Sequence, residues 1–442
     1  MANIGFISLG CAKNQVDCER MMYRVQEAGH TVKADIVGAD VVVINTCGFI
    51  DSAKAEAIDF ILQTAALKQD GLVGKILVAG CLSQRYQDEI MQEMPEVDGV
   101  LGTGSYTEVV PAIVALLEDK SVVEFGSIDA PEQETGRILT TPEHYAFLKI
   151  AEGCDNRCAY CAIPDIRGKF RSRPMEELIE EARELDELGV KELTIIAQDT
   201  TRYGEDLYGE PKLAELLSEL CKIDGIEWIR TLYTYPDRIT DKLLDTMANE
   251  DKLVNYLDIP LQHCNGEILR NMNRRGDRAS LTSLIAKIRA KMPDITLRTT
   301  FITGFPGETE AQFTELCEFV EEIGFDRLGC FAYSAEEGTV AADMEGQVED
   351  ETKLRRAEII MDIQSRKIER KNAEHIGSVK QVLVEGYDGY IKCFFGRSRG
   401  DAPEIDAKVF FCTDGIKLNE GDIVNVEITD TIEYDLLGLL TE

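Results

Sequence analysis

No run in this 442-residue chain approaches the ~18 apolar residues that span a bilayer as a helix. A secretory leader is missing as well. The opening "MANIGFISLG" has neither a basic start nor a long apolar stretch, and it reads as a first β-strand. Positive charge is scarce: 47 Lys and Arg stand against 81 Asp and Glu, a formal net charge of −34. That balance opposes nucleic acid, whose phosphates require a basic face. It favours a basic partner through long-range attraction, or serves solubility alone. No low-complexity tract and no repeat beyond β/α alternation is present. These exclusions point to a cytoplasmic protein without membrane contact, long enough for two to four domains.

Cysteine is the residue in surplus. Thirteen in a chain without an export signal argue against a disulfide framework and for thiolate ligands together with buried apolar thiols.

Residues 1–125 alternate apolar runs ("NIGFISL", "DVVVINT", "KILVAG") with amphipathic helices near 17–28, 52–68 and 84–94, the pattern of a doubly wound parallel sheet. Residues 126–142 lose the period and read as a linker. From 143 to 372 a second β/α series carries six strands, "AFLKIA", "ELTIIA", "WIRTLY", "YLDIPL", "TLRTTFIT" and "RLGCFAY", and ends in a long helix near 350–374. Six such units suggest an open or partial TIM-type (β/α) barrel. Residues 373–442 hold five short β-runs, expected to form a small antiparallel barrel of OB-like type.

The segment "EGCDNRCAYC" places Cys154, Cys158 and Cys161 directly after a barrel strand, where such folds put their chemistry. Three soft thiolates can hold three irons of a cubane and leave the fourth iron open to a substrate or cofactor. The competing possibility is a zinc knuckle that borrows a fourth ligand such as His263, although zinc loops usually present CxxC pairs. In the first segment, Cys11, Cys47 and Cys81 each follow a predicted parallel strand. Strand ends converge on the ligand-binding edge of a doubly wound sheet. These three are therefore either a second cluster site or three small buried hydrophobes. The other seven, Cys18, Cys221, Cys264, Cys317, Cys330, Cys393 and Cys412, are assigned to packing.

CxxxCxxC with an aromatic (Tyr160) before its last cysteine resembles the radical S-adenosylmethionine enzymes. A three-cysteine N-terminal domain and a C-terminal TRAM barrel around that core narrow the resemblance to the methylthiotransferases, over essentially the whole chain. The resemblance implies two [4Fe–4S] clusters, one on each cysteine trio, and S-adenosylmethionine as both methyl donor and radical source. Sulfur on the open iron of the N-terminal cluster would be methylated, and the radical would open a substrate C–H bond to receive the methylthio group. It also implies that the strand and loop of "TFITGFPGETE", with Gly304, line the S-adenosylmethionine pocket. Tyr160, Gln198, Gln262 and Arg298 are further pocket candidates, each equally readable as a loop-fixing polar residue, and Thr309 with Gln312 suggests a helix capping box.

Within the family, "SLGCAKNQVD", "CAIPDIRGKFRSRP" and "GRSRGDAPEID" resemble the RimO type, which acts on an aspartate of small-subunit ribosomal protein number twelve rather than on adenosine in transfer RNA. Charge agrees. Residues 373–442 carry 6 Lys and Arg against 14 Asp and Glu, and residues 1–135 carry 9 against 21. Acidic positions such as Asp401, Glu404 and Asp406 are expected to face the basic substrate, while "RGKFRSRP" (Arg167, Lys169, Arg171, Arg173) is either a solvated loop or a cofactor or substrate contact. The expected partners are that ribosomal protein, an electron donor and a sulfur donor, with the enzyme a monomer. A transfer-RNA methylthiotransferase and a non-enzymatic iron–sulfur or zinc protein that binds RNA are the alternatives.

Overall fold

The computed structural model describes residues 1–131 and 136–441, in which the β/α alternation builds three sheets and one short ribbon. Strands β1 (Asn3–Ser8), β2 (Thr31–Lys33), β3 (Val41–Thr46), β4 (Lys75–Gly80), β5 (Gly99–Leu101) and β6 (Val122–Glu124) form a parallel sheet in the order β2-β1-β3-β4-β5-β6. All six residues of β3 are buried. Its Val41 and Val43 pack with Cys18, Met21 and Val25 of helix α1 (Ala12–Glu27), while Val42 and Ile44 pack with Ala57, Ile61 and Ala65 of helix α2 (Asp51–Gln69). Burial on both faces is why this strand is an unbroken apolar run. The helix expected near 84–94 is divided: α3 (Cys81–Tyr86) and a second turn of helix, Asp88–Glu93, meet at Gln87, whose φ of 44° interrupts them. Part of the expected linker, residues 132–135, lies outside the described residues. Beyond it, Thr140 donates from both its N–H and its hydroxyl to Glu19 of α1 at 2.8 Å, so the chain is held along that helix.

Strand β7 (Tyr145–Lys149) opens the second sheet. A two-stranded ribbon of β8 (Ala151–Glu152) and β9 (Arg171–Ser172) follows, and then β10 (Glu192–Ile196), β11 (Trp228–Thr231), β12 (Leu253–Asp258), β13 (Thr296–Thr303) and β14 (Arg327–Ala332). The order β14-β13-β12-β11-β10-β7 is sequential and parallel, an open six-stranded barrel. Alternation in β13 shows why. Leu297, Thr299 and Phe301 are buried, with Phe301 edge-on to Phe319 and Phe325, while Arg298, Thr300 and Ile302 alternate with them on the opposite, lumen face. The following helix, Glu310–Ile323, starts with the expected capping box of Thr309 and Gln312. Among the described residues no helix is long and apolar enough to cross a membrane.

Strands β15 (Val379–Asp388), β16 (Cys393–Ser398), β17 (Val409–Cys412), β18 (Ile423–Ile432) and β19 (Asp435–Thr441) close a small barrel. Its pairings are antiparallel except β17 with β19, which run parallel. Two cysteines assigned to packing depart from that role. Cys393 and Cys412 alternate with the inward Phe394 and Phe411 and therefore point outward, with their sulfurs 3.1 Å apart. Cys18 and Cys264 are buried, and Cys221, Cys317 and Cys330 pack against the core as expected.

All three units meet in one apolar plug. Tyr145, Phe147, Ile196, Trp228, Val254 and Tyr256 of the open barrel gather with Val16 of α1 and with Leu383 and Ala402 of the small barrel. Ion pairs and hydrogen bonds surround the plug, and they correct the reading of Asp401 and Asp406 in "GRSRGDAPEID" as substrate-facing, while Glu404 stays exposed. Asp401 is buried against Arg327, Asp406 accepts from the Tyr256 hydroxyl at 2.6 Å, and the Tyr145 hydroxyl donates to Glu404 at 2.8 Å. Arg298, expected in the cofactor pocket, is likewise committed elsewhere: it lies 3.1 Å from Asp258 and 3.6 Å from Asp406, joining β12 and β13 to the small barrel. Arg397 contacts Glu192 at 2.7 Å, and Arg230 reaches the same carboxylate at 2.7 Å. Removing one partner of a buried pair leaves the other charge uncompensated. Replacing Arg397 with Ala is therefore expected to cost about 3–5 kcal/mol, read by denaturant unfolding. A loss within about 0.5 kcal/mol, typical of surface substitutions, would show that this clamp contributes little.

Candidate active site

The adjacency of β1, β3 and β4 brings the first cysteine trio together. Cys11 caps the N-terminus of α1, Cys47 follows β3, and Cys81 is the first residue of α3 behind β4. Gly10 makes the approach possible. It has a φ of +92°, and a Cβ there would lie 2.7 Å from the Cβ of Cys47. Burial raises the Cys47 thiol and pushes Cys81 up to about 12, and in both the neighbouring Cys11 adds to the rise. At Cys11 desolvation also opposes ionisation, but Lys13, Arg167 and two backbone N–H groups overcome it and lower the thiol. The trio thus presses thiols together in a setting where cations favour the thiolate that a metal needs.

The second trio sits on a loop whose stem is the β8–β9 ribbon. Cys154 N–H donates to the Gly168 carbonyl at 3.1 Å, and Cys161 N–H donates to the Cys158 carbonyl at 3.0 Å. Asn273 ties the loop from outside by donating to the carbonyls of Asn156 and Arg157. Burial pushes the Cys154 thiol up to about 11 and raises that of Cys161 as well. Arg274 answers this. Its guanidinium lies 3.6 Å from the Cys158 sulfur and stacks 4.3 Å over the Tyr235 ring. Tyr160 lies against the same thiol and the same arginine, and burial holds its phenol protonated.

The regions carrying the two trios meet at Cys81. Cys81 packs directly on Ala162 and Ile166, the residues that follow Cys161. A buried knot of charge fixes this meeting. Arg167 donates to the Cys81 sulfur at 3.4 Å, to Asn14 at 3.1 Å, and to Asp17 and Glu152 at 2.7 Å each. Lys149 donates to Glu152 at 2.9 Å and also reaches Asp17. Burial would raise the Glu152 carboxyl, but Arg167 and Lys149 hold it well below the usual range. Sequence reasoning placed Arg167 in a basic patch. Instead Arg167 and Arg173 are buried, and Arg173 pairs with Glu181 at 2.6 Å, while Lys169 alone of the four is exposed. Sequence reasoning missed Lys149, Glu152, Asp17 and Arg274. The one available signal was a lysine and a glutamate within the otherwise apolar "AFLKIAEG".

The remaining cofactor candidates lie at strand ends above the lumen. Gln198 donates to Glu152 at 3.0 Å, and its carbonyl oxygen is buried without a partner. Gln262 has a φ of +69°, is locked to β13 through Thr300 and Ile302, and also carries a buried, unpaired side-chain carbonyl. Two orphaned acceptors near the cysteine loop fit a polar cofactor with donor groups. Gly304 has a φ of +72°, and a Cβ there would strike Lys353 at 2.2 Å, so glycine is required by the helix Asp350–Glu374 passing behind it. His263, the possible zinc ligand, accepts from the Asn265 N–H at 2.9 Å and faces Glu308. Among the described residues no three His, Cys, Asp or Glu side chains converge as a single-ion site requires. Cubane thiolates each bind a different iron and need no such convergence.

Comparison with known proteins agrees with this arrangement. The radical SAM superfamily matches residues 148–320, the uncharacterized protein family UPF0004 matches 3–102, and the TRAM domain matches 376–440. The ribosomal protein uS12 methylthiotransferase RimO of Pelotomaculum thermopropionicum is 51% identical over 437 residues, 98% of each chain. Its counterpart from Thermoanaerobacter sp. is 46% identical over 440 residues, covering 99% of this chain and 100% of that one. The chain belongs to the RimO methylthiotransferase family. Among solved structures, the radical S-adenosylmethionine methyltransferase TsrM from Kitasatospora setae, with cobalamin and a [4Fe–4S] cluster bound, aligns with a TM-score of 0.57 at 12% identity over 75% of each chain. That likeness concerns the fold.

In this RimO-family chain, six thiols fall into two groups of three on different sheets, and neither group can supply four protein ligands. Changing Cys154, Cys158 and Cys161 to Ala is expected to leave about half the iron of the anaerobically reconstituted protein, as cubanes held by one trio each require. Loss of essentially all iron from a folded triple variant would contradict two independent sites.

Proposed function

We propose that this chain methylthiolates the β-carbon of an aspartate in ribosomal protein uS12, with Cys11, Cys47 and Cys81 holding one [4Fe–4S] cluster and Cys154, Cys158 and Cys161 the other. The observation that carries this reading is the packing of Cys81 on the loop of the second trio. A sulfur carried at one site and a radical made at the other are useful only when both reach one substrate carbon. When bound, the two clusters and S-adenosylmethionine supply a methylatable sulfur and a 5′-deoxyadenosyl radical. The protein supplies position and exclusion. Arg167 and Arg274 each donate toward a ligand sulfur, which favours the thiolate. Gln198 and Gln262 offer buried acceptors to the cofactor, and the aromatic plug closes the lumen from below. A reactive radical needs such exclusion of water and side reactions.

All six cysteines come from one chain, so the site is complete without a second copy. A ribosomal-protein substrate implies work in the cytoplasm. The net charge of −34 supports a basic protein partner over RNA, although the docked residues Asp401 and Asp406 do not contribute a free face. Glu404 stays exposed, and further exposed carboxylates of the small barrel lie at Asp414, Glu420, Glu427, Asp430 and Glu433. Attraction of this kind weakens with salt.

Two outcomes are expected. The Cys11, Cys47 and Cys81 triple Ala variant retains cleavage of S-adenosylmethionine to 5′-deoxyadenosine but transfers no methylthio group; unimpaired transfer would overturn the role given to the N-terminal trio. Offered purified uS12 and isopentenyladenosine-containing transfer RNA in parallel under reducing, anaerobic conditions, the enzyme adds the mass of one methylthio group to the protein. Modification of the RNA alone would overturn the substrate.

A further inference from the structure

Outside the two trios, one other pair of thiols stands together among the described residues. Cys393 opens β16 and Cys412 ends β17, and their sulfurs are 3.1 Å apart. They are opposite one another by register. Phe394 pairs with Phe411 and Phe395 with Phe410, so the next antiparallel position joins residues 393 and 412. Directly opposed residues in an antiparallel pair have Cα separations of roughly 4.5–5.5 Å, inside the range a disulfide spans. Aromatic pairs hold this register on both faces: Phe394 stacks on Phe411 inside the barrel at 6.0 Å, and Phe395 meets Phe410 outside at 6.1 Å. Cys412 is exposed and Cys393 half-buried, so an oxidant can reach the pair. Neither sulfur packs in a core cluster, so burial of a small hydrophobe does not account for them.

The chain between them is the docking loop. Residues 397–406 supply Arg397, Asp401 and Asp406, which clamp the small barrel to the open one. We propose that Cys393 and Cys412 are a redox-active dithiol whose disulfide staples the two strands carrying this loop. With a low-molecular-weight disulfide such as oxidised glutathione as oxidant, one cysteine thiolate attacks a glutathione sulfur and releases one glutathione. The second cysteine attacks the mixed disulfide and releases the other. Two cysteine thiols lose two electrons and two protons, and one glutathione disulfide becomes two thiols. Closing the loop restricts the unfolded chain and holds β16 to β17, so the oxidised form should resist separation of the small barrel.

Trypsin separates the two cysteines, since Lys392 and Arg397 bound one peptide and Lys408 and Lys417 the other. Anaerobically purified holoprotein would be incubated with oxidised glutathione, capped with iodoacetamide and digested without reductant. The expected product is residues 393–397 joined to residues 409–417, parting on reduction, with a thermal unfolding midpoint above that of the untreated protein. In the Cys393→Ser variant the joined species is absent and the same treatment leaves the midpoint unchanged. Recovery of both peptides singly capped, or either cysteine joined to a different one, would overturn the pairing. A joined species with an unraised midpoint would overturn the staple.

Discussion

Two cations and two carboxylates, taken out of water together, fix how the parts of this protein meet. Arg167, Lys149, Asp17 and Glu152 come from the cysteine loop, the first barrel strand, helix α1 and the short ribbon. Burying charges is costly, and the cost is offset only when every partner is in place. Such a knot therefore tolerates one arrangement where an apolar contact would allow sliding. Because Asn14 and the Cys81 sulfur bind the same guanidinium, the arrangement that satisfies the charges also sets the first trio against the second. The charges balance without the thiolates.

The same solution recurs below the lumen. Glu192 is shared by Arg230 and Arg397, and Asp401 and Asp406 are met by Arg327 and Arg298. Around an aromatic plug these pairs join the small barrel to the open one, so the lumen has a floor that is not part of its own sheet. Each unit then does one task. The first sheet brings one trio, the open barrel brings the other with its polar strand ends, and the small barrel closes the base. An acidic chain that uses five arginines in these joints leaves its excess negative charge outside, where it can act on a basic partner.

Regular elements were legible because apolar period reports burial. Five of the six barrel strands and the five of the small barrel stand where the pattern put them, as does the helix Asp350–Glu374, while β12 begins three residues before the expected "YLDIPL" and ends at Asp258. Cysteine spacing carried both trios, since a thiol at a strand end has few structural uses. What escaped was local in space and remote in sequence. Buried ion pairs leave no period: Arg167 and Arg173 read as a solvated basic patch, and Asp401 and Asp406 as a free acidic face, because their partners lie in other units. Arg298 was assigned to the cofactor by its strand, yet its charge is spent on Asp258 and Asp406. Edge strands of three residues, β2 and β6, are too short to alternate, the parallel pairing of β17 with β19 depends on closure, and Gln87 breaks a helix that composition alone would continue.

Neighbouring trios are the central claim, and magnetism reads it directly. When both clusters are reduced in the intact protein, each carries an unpaired spin, and neighbouring spins broaden and split one another's low-temperature electron paramagnetic resonance. The predicted spectrum departs from the sum of the two spectra recorded on the Cys11, Cys47, Cys81 and the Cys154, Cys158, Cys161 triple Ala variants. A spectrum equal to that sum would mean that the two sites do not share a chamber.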